Sequence, residues 1–86
     1  AEAWNKRATV YFMMGDFDKS MQDIIKTLEL EPRHFGALDG MGLIFIHQGQ
    51  YQQAIDVYDK MLEIFPFSLK TMEKRENIMS FISQST

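Results

Sequence analysis

The 86-residue chain has no cysteine, few prolines and glycines, and no long apolar run. Without thiols it forms neither a disulfide scaffold nor a thiolate zinc site, and it fits either redox compartment. No apolar stretch approaches the roughly 20 residues that a membrane-spanning helix needs. The net charge of −3 lacks the positive excess that steers proteins to nucleic acid or to anionic lipid. We therefore expect no nucleic-acid partner and no membrane span.

A hydrophobic fraction of 45% and a charged fraction of 24% are ordinary for a folded soluble chain, and the length suits one small domain. The opening residues, AEAWNKRA, show neither a signal-peptide pattern nor an initiator methionine, so we expect a segment of a longer protein. A soluble protein is predicted, and the cytoplasm is the favoured location unless a targeting signal precedes residue 1.

The chain repeats itself with a period of 34 residues. When it is laid on itself at that shift, large residues meet large ones, small residues meet small ones, and a glycine and a proline coincide. Repetition at this period is typical of helical arrays, in which each repeat buries its apolar faces against its neighbours. A third period begins at Leu69 and lasts 18 residues, without glycine or proline. The pairs that define the period are Trp4 and Leu38, Ala8 and Gly42, Tyr11 and Phe45, Gly15 and Gly49, Phe17 and Tyr51, and Pro32 and Pro66.

Each full period holds two segments with apolar residues at helical spacing. Gly15 and Gly49 divide these segments, because glycine adopts the left-handed conformation that ends a helix at low cost. Asp16 is a favourable N-cap for the second segment, and a proline stops that segment. Ser68 is a good N-cap for the last segment. The predicted helices cover about 3–14, 18–30, 35–48, 51–64 and 69 onward.

These features resemble the tetratricopeptide repeat (TPR) family, whose pattern is a Trp, then Leu-Gly, then Tyr, later Ala and Phe, and then Pro. The resemblance implies an all-α solenoid of helical hairpins, with repeats over 1–34 and 35–68 and a C-terminal capping helix over 69–86. The matching residues are Trp4, Ala8, Tyr11, Gly15, Ser20, Ile24 and Pro32 in the first repeat, and Leu38, Gly42, Phe45, Gly49, Ala54, Tyr58 and Pro66 in the second.

Four residues depart from the family pattern. Arg7 replaces the usual Leu. Ser20, Thr27 and Met61 replace the usual Ala. Together the four departures suggest looser packing and not another fold. Arrays of this kind usually need about three repeats for stability. Two repeats and a cap therefore indicate further repeats before residue 1, or self-association.

The sequence offers no catalytic or metal-binding constellation. His34 and His47 are the only histidines, and their separation of 13 residues does not match the short helical spacing of metal ligands. We expect His34 to be an exposed loop residue and His47 to lie in a groove or at a helix end. Capping explains Asp16 and Asp18 better than phosphotransfer does, because no strand precedes them. We therefore predict no enzyme, no cofactor and no metal.

The resemblance implies that the first helix of each hairpin, together with the cap helix, lines a concave groove for a peptide or helix. Counting along those helices places large apolar side chains on this face, with polar groups among them that fix the register of a partner. Gly36 and Gly40 either leave room for a partner's backbone or are tolerated at a weak helix start. The predicted groove residues are Asn5, Thr9, Phe12 and Met13, then Gly36, Asp39, Gly40, Leu43, Ile46 and His47, then Lys70, Lys74 and Phe81, with Glu2 and Asn77 on the same side.

Some members of the family bind an acidic C-terminal tail through a clamp of lysines and asparagines. Lys70 and Lys74 match the last basic pair of that clamp, whereas Thr9 and Gly40 stand where its asparagines are expected, so the clamp is not predicted. The predicted function is a non-catalytic protein-interaction module that binds a segment with apolar anchors. The alternatives are a regulatory or scaffold segment of a larger protein whose catalytic part lies elsewhere, and a self-associating structural array.

Overall fold

The computed structural model describes residues 1–85, which form five α-helices and no strand. The helices are α1 (Glu2–Met13), α2 (Phe17–Leu30), α3 (Phe35–His47), α4 (Tyr51–Ile64) and α5 (Leu69–Ser85). α1 pairs with α2 and α3 with α4, the two hairpins meet where α3 contacts α1 and α2, and α5 packs against α4. The predicted all-α architecture is confirmed. Thr86, the last residue of the predicted cap helix, lies outside the described residues.

The same glycine turn closes both hairpins. Gly15 and Gly49 have φ angles of 79° and 73°, the left-handed region that glycine adopts at low cost. In the first turn the amide of Asp16 donates to the carbonyl oxygen of Tyr11 at 2.9 Å, and the second turn repeats this bond at 2.8 Å. The carboxylate of Asp16 also accepts a hydrogen bond from a backbone amide of α2 and caps that helix, as predicted.

The polar residues that replace alanine in the first repeat are buried and hydrogen-bonded. Ser20 Oγ donates to the carbonyl oxygen of Ala8 on the facing helix at 2.7 Å, and Thr27 Oγ1 donates to that of Asp23, one turn earlier, at 2.8 Å. Both side chains are almost fully excluded from solvent, so their hydroxyl groups are accommodated without an unpaired polar atom. Met61 is buried as well. The three residues thus occupy buried positions in the core.

A bidentate ion pair connects α1 and α2. Arg7 Nε lies 2.7 Å from Asp23 Oδ2, and Arg7 Nη2 lies 2.9 Å from Oδ1. Asp23 is buried, whereas Arg7 stays largely in solvent, with its guanidinium over the rings of Trp4 and Tyr11. A buried carboxylate needs a charged hydrogen-bond partner, which explains an arginine in place of the usual leucine. The hydrogen bond from Arg7 holds the pKa of Asp23 below its usual value.

α3 and α4 approach each other through Gly42 and Tyr58. A Cβ atom on residue 42 would lie 2.8 Å from the Tyr58 ring, which is closer than real contacts allow. The Tyr58 side chain is fully buried, and its hydroxyl has no hydrogen-bond partner in the described part of the chain. Burial, with a smaller contribution from the charge of Asp39, raises the pKa of Tyr58 to about 12. The hydroxyl is therefore neutral at physiological pH, and glycine at position 42 lets the ring reach α3.

The core consists of two apolar clusters. One lies between α3, α4 and α5 and contains Tyr58, and the other lies between α1, α2 and α3 and contains Ile24 and Ile44. Leu28 and Met41 pack against both clusters. Because α3 contributes to each cluster, its position is set from both sides.

The contact between Gly42 and Tyr58 predicts a cost for adding a single methyl group. We expect Gly42→Ala to lower the free energy of unfolding by about 1–2 kcal/mol, because overpacking outweighs the gain in helix propensity. Gly36→Ala is the matched control, since a Cβ there would meet only the tips of two side chains, at 3.3 Å and 3.4 Å. Urea unfolding measures both variants. If both variants lose the same free energy of unfolding, a clash with the Tyr58 ring is not the cause of the loss in Gly42→Ala.

The Arg7–Asp23 pair predicts a pH dependence of stability. Because the pKa of Asp23 is lowered on folding, its charged form stabilises the folded state above the ordinary value of 3.8. That contribution is lost as the pH falls through the lower pKa of the folded state. We expect Asp23→Asn to lower the free energy of unfolding at neutral pH. Between about pH 5 and pH 2, the free energy of unfolding should fall less in the variant than in the unmodified protein. Urea unfolding across this range checks the expectation, and parallel curves for the two proteins would refute it.

Candidate functional site

The predicted groove contains a cavity of about 200 Å³ between α1, α2 and α3, here called the first cavity. α1 and α3 each contribute residues spaced by three, four and seven positions, so one side of each helix faces the cavity. α2 supplies the remainder of the wall. The lining residues are Asn5, Ala8, Thr9 and Phe12 of α1, Ser20 and Ile24 of α2, and Gly36, Asp39, Gly40 and Leu43 of α3.

Three of these lining residues were not among the predicted groove residues. Ala8, Ser20 and Ile24 are matches to the family pattern, whereas the other seven lining residues are predicted groove residues. Ile24 lies against the part of the cavity wall that Gly40 forms. Its Cδ1 is 3.3 Å from the position that a Cβ atom on residue 40 would occupy. The register of α2 against α3 decides this contact, and no pattern within either helix reveals it.

The first cavity is small and mainly apolar. Its volume lies below the range of about 300–1,000 Å³ that is usual for small-molecule pockets. Thr9 Oγ1 donates to the carbonyl oxygen of Asn5 at 3.0 Å, and Asn5 Nδ2 donates to Glu2 Oε1 at 3.5 Å. These bonds hold the polar groups on α1 in place, and most of the remaining lining is apolar.

A second cavity of about 390 Å³ lies between α3, α4 and α5. It is the more apolar of the two, and the rings of Tyr51 and Phe81 lie side by side there with centroids 5.0 Å apart. Four lining residues, Ile46, Lys74, Asn77 and Phe81, are predicted groove residues, whereas Tyr51 and Ile78 are not. The second cavity is lined by Ile46, Tyr51, Lys74, Asn77, Ile78 and Phe81.

An ion pair joins the two cavities. Asp39 lines the first cavity and Lys74 the second, and Lys74 Nζ lies 2.7 Å from Asp39 Oδ1. Both side chains are about one-third exposed, so solvent weakens the attraction. The groove that was predicted as one surface is therefore two cavities bridged by a pair of charges. Lys74, which had been considered as an anion-binding residue, already has a carboxylate partner.

Four predicted groove residues, Glu2, Met13, His47 and Lys70, lie outside both cavities. Met13 is exposed at the end of α1, and Lys70 is exposed at the start of α5. His47 packs against aromatic rings, with its centroid 5.4 Å from that of Phe12 and 5.2 Å from that of Phe17. His47 therefore contacts the first cavity only through Phe12, whose ring it helps to position.

Gly36 and Gly40 face neighbours within the chain. A Cβ on Gly36 would lie 3.3 Å from the His34 ring and 3.4 Å from the Asn5 amide, and a Cβ on Gly40 would lie 3.3 Å from Ile24. Both glycines line the first cavity, and a Cβ atom at either position would meet the end of a neighbouring side chain and no backbone atom.

The expectation that His34 is an exposed loop residue is wrong. His34 Nδ1 accepts a hydrogen bond from the Ala37 amide at 3.0 Å and caps α3, and the side chain is only 12% exposed. A nitrogen that accepts in this way carries no proton, so in the neutral ring the proton is on Nε2, which lies 3.5 Å from Glu2 Oε2. Because Ser, Thr, Asp and Asn dominate N-caps, a histidine gives no capping signal in a sequence.

The described residues do not assemble a metal centre. No three His, Asp or Glu side chains within this part of the chain are close enough to hold an ion. Among the same residues, no helix is both long and apolar enough to cross a membrane.

The comparison with known families agrees with the observed hairpins. Family models described as Tetratricopeptide repeat match residues 1–34 and 35–68. The chain belongs to the tetratricopeptide repeat family. Its five helices form a TPR-type solenoid, as the sequence predicted, and TPR repeats form a protein-interaction fold.

Relatives of this TPR chain occur in bacteria and animals. A TPR repeat-containing protein of Rhizobium etli is 42% identical over 80 residues, which are 93% of this chain and 39% of that protein. Superkiller complex protein 3 of Homo sapiens is 23% identical over 82 residues, which are 95% of this chain and 5% of that protein. The chain thus spans well under half the length of either relative.

A solved TPR structure has the same fold. The first TPR of Spaghetti (RPAP3), bound to the HSP90 peptide SRMEEVD, matches with a TM-score of 0.84 at 19% sequence identity. The match covers 93% of this chain and 64% of that one.

The Asp39–Lys74 pair predicts a small, salt-sensitive coupling between α3 and α5. A double-mutant cycle with Asp39→Asn and Lys74→Met should give a coupling free energy of about 0.5–1 kcal/mol, because both partners are partly solvated. The coupling should decline as added salt screens the charges. Chemical denaturation of the four proteins measures it. A value near zero at low salt would show that the pair does not help to position α5.

Proposed function

We propose that this TPR domain binds a protein segment by accepting apolar side chains of the partner in the two cavities of its groove. The observation that most supports the proposal is the presence of two mainly apolar cavities joined by one ion pair. Apolar anchors in preformed pockets, with polar groups that fix the register, are a common way of holding helices and extended peptides.

The lining residues indicate where each anchor would lie and how tightly it would bind. One anchor would lie between Phe12 and Leu43, with Asn5 and Thr9 nearby as hydrogen-bonding groups, and the other beside Ile46. Burying an aliphatic side chain contributes about 1.5–3 kcal/mol, so two anchors contribute about 3–6 kcal/mol before the entropy of association is subtracted. Because about 6 kcal/mol corresponds to a dissociation constant of about 40 µM, we expect binding no tighter than tens of micromolar.

The acidic peptide of the Spaghetti domain is not the ligand that we propose. Thr9 and Gly40 stand where the asparagines of an acidic-tail clamp are expected from the family resemblance, and neither offers a carboxamide. Lys74 is paired with Asp39, so an incoming carboxylate would have to displace that partner. These features support a ligand with apolar anchors over one with a short acidic tail.

Selection from a library of short random peptides tests the proposal. We expect the enriched peptides to carry two or three apolar residues and, as synthetic peptides, to bind no more tightly than tens of micromolar in fluorescence anisotropy. Leu43→Glu should weaken this binding by about tenfold or more, because it leaves a charge in a desolvated contact. Circular dichroism should show the same helical content as in the unmodified domain.

Ile25→Glu is the matched control, because Ile25 is an apolar residue exposed on α2 and absent from the lining of both cavities. It should leave the affinity unchanged. The peptide SRMEEVD is the second control and should bind more weakly than the selected peptides. Unchanged affinity in a variant that combines Leu43→Glu with Phe12→Ala would show that the groove is not the binding site. Tighter binding of SRMEEVD than of any selected peptide would reject apolar anchors as the main determinant.

A further inference from the structure

His34 belongs to a chain of polar contacts that runs from α3 to α1. Its Nδ1 accepts a hydrogen bond from the Ala37 amide at 3.0 Å, and its Nε2 lies 3.5 Å from Glu2 Oε2. The other oxygen of the same carboxylate, Glu2 Oε1, accepts a hydrogen bond from Asn5 Nδ2 at 3.5 Å. Asn5 lines the first cavity, as does Gly36 in the first turn of α3. One imidazole ring therefore connects the start of α3 with the wall of the first cavity.

The cap that His34 forms requires a neutral ring. An imidazolium carries a proton on each nitrogen, so Nδ1 of a protonated ring would point one donor at another, the Ala37 amide. A positive charge at the start of α3 also opposes the helix dipole. Protonation of His34 therefore removes the side-chain cap of α3.

The charged groups around the ring do not preserve the cap. In the part of the chain that the structure describes, Glu2 of α1 is the one carboxylate in ion-pair contact with the ring, and it is 67% exposed, so solvent weakens its attraction. Glu31 and Arg33, of opposite charge, lie in the exposed loop before α3. α3 itself carries no charge before Asp39, which is paired with Lys74. A protonated ring therefore keeps Glu2 as a partner and loses the amide.

The other side-chain caps of the described helices do not depend on pH in this way. Ser68, 34 residues after His34, accepts a hydrogen bond from the Thr71 amide through its Oγ at 3.4 Å. A hydroxyl oxygen remains an acceptor near neutral pH, and so does the carboxylate of Asp16, which caps α2. A histidine, in contrast, changes its charge between about pH 5 and pH 8. α3 is thus the helix whose cap is sensitive to physiological changes of pH.

We propose that protonation of His34 is a switch that opens the first turn of α3 and weakens binding in the first cavity. The ring turns from the Ala37 amide toward Glu2, and the imidazolium competes with the Asn5 amide for that carboxylate. The second cavity, which α3 lines only with Ile46 near its other end, keeps its shape. The effect on binding rests on the function proposed above, whereas the change in the free domain does not.

Amide hydrogen exchange of the free domain, followed by NMR between about pH 7.5 and pH 5.5, tests the switch without a ligand. The protection factor of the Ala37 amide should fall about fivefold over this range, as expected when an N-cap is lost. His34→Asn retains an acceptor that does not titrate, so its protection should stay constant. His34→Ala has no acceptor and should show low protection at both pH values. Groups that all three proteins share, including His47 and the α-amino group, cancel in this comparison.

Fluorescence anisotropy with a selected peptide that contains no histidine tests the consequence for binding. The affinity of the unmodified domain should fall by a factor of about three to five between about pH 7.5 and pH 5.5, and that of His34→Asn should not change. His47→Gln is the matched control. It removes the other histidine, which contacts Phe12 in the wall of the first cavity, and it should keep the response to pH.

Two results would each overturn the proposal. Constant protection of Ala37 in the unmodified domain, or an equal fall in His34→Asn, would show that His34 is not a switch. A fall in protection with no change in affinity that depends on His34 would show that the start of α3 does not control the first cavity. If no peptide is enriched, the function proposed above fails and with it the claim about binding, while the exchange measurement still decides whether the switch exists.

Discussion

The position of α3 depends on the contact between Gly42 and Tyr58, and both cavities depend on α3. This helix contributes four residues to the wall of the first cavity and Ile46 to that of the second. A buried ring that lies against bare backbone sets the separation of two helices, because moving them apart would open a void and moving them together would cause overlap. The shape of both cavities therefore depends on a contact between buried residues of the core.

The two hairpins meet the same packing requirement with different chemistry. In the second hairpin, glycine at position 42 leaves room for the ring of Tyr58. In the first, α1 and α2 meet through the hydrogen bond from Ser20 to Ala8 and through the ion pair of Arg7 with Asp23. Directional bonds of this kind are costly to break in a buried place, whereas apolar contacts tolerate repacking. The register of the first hairpin, and with it the α1 wall of the first cavity, is thus specified by polar contacts.

Repetition made the helices predictable, because glycine, proline and apolar positions had to agree in two periods. Helical counting also predicted most of the first cavity, since residues three, four and seven positions apart share one side of a helix whatever its neighbours are. Contacts between elements were missed. Two of them are ion pairs between helices, Arg7 with Asp23 and Lys74 with Asp39. The third is the N-cap that His34 provides for α3. Each of these depends on a distance between elements that no pattern within one helix contains.

The division of the core into two clusters means that largely separate sets of contacts hold the two cavities. The first cavity lies across the boundary between the hairpins, whereas the second lies among α3, α4 and α5. Only Leu28 and Met41 belong to the surroundings of both clusters. Because neighbouring units of a repeat array open with separate free energies, α1 and α2 can detach and return while the other helices stay packed. Opening of the first hairpin alone would remove the walls that α1 and α2 give to the first cavity, whereas all residues that line the second cavity belong to α3, α4 and α5.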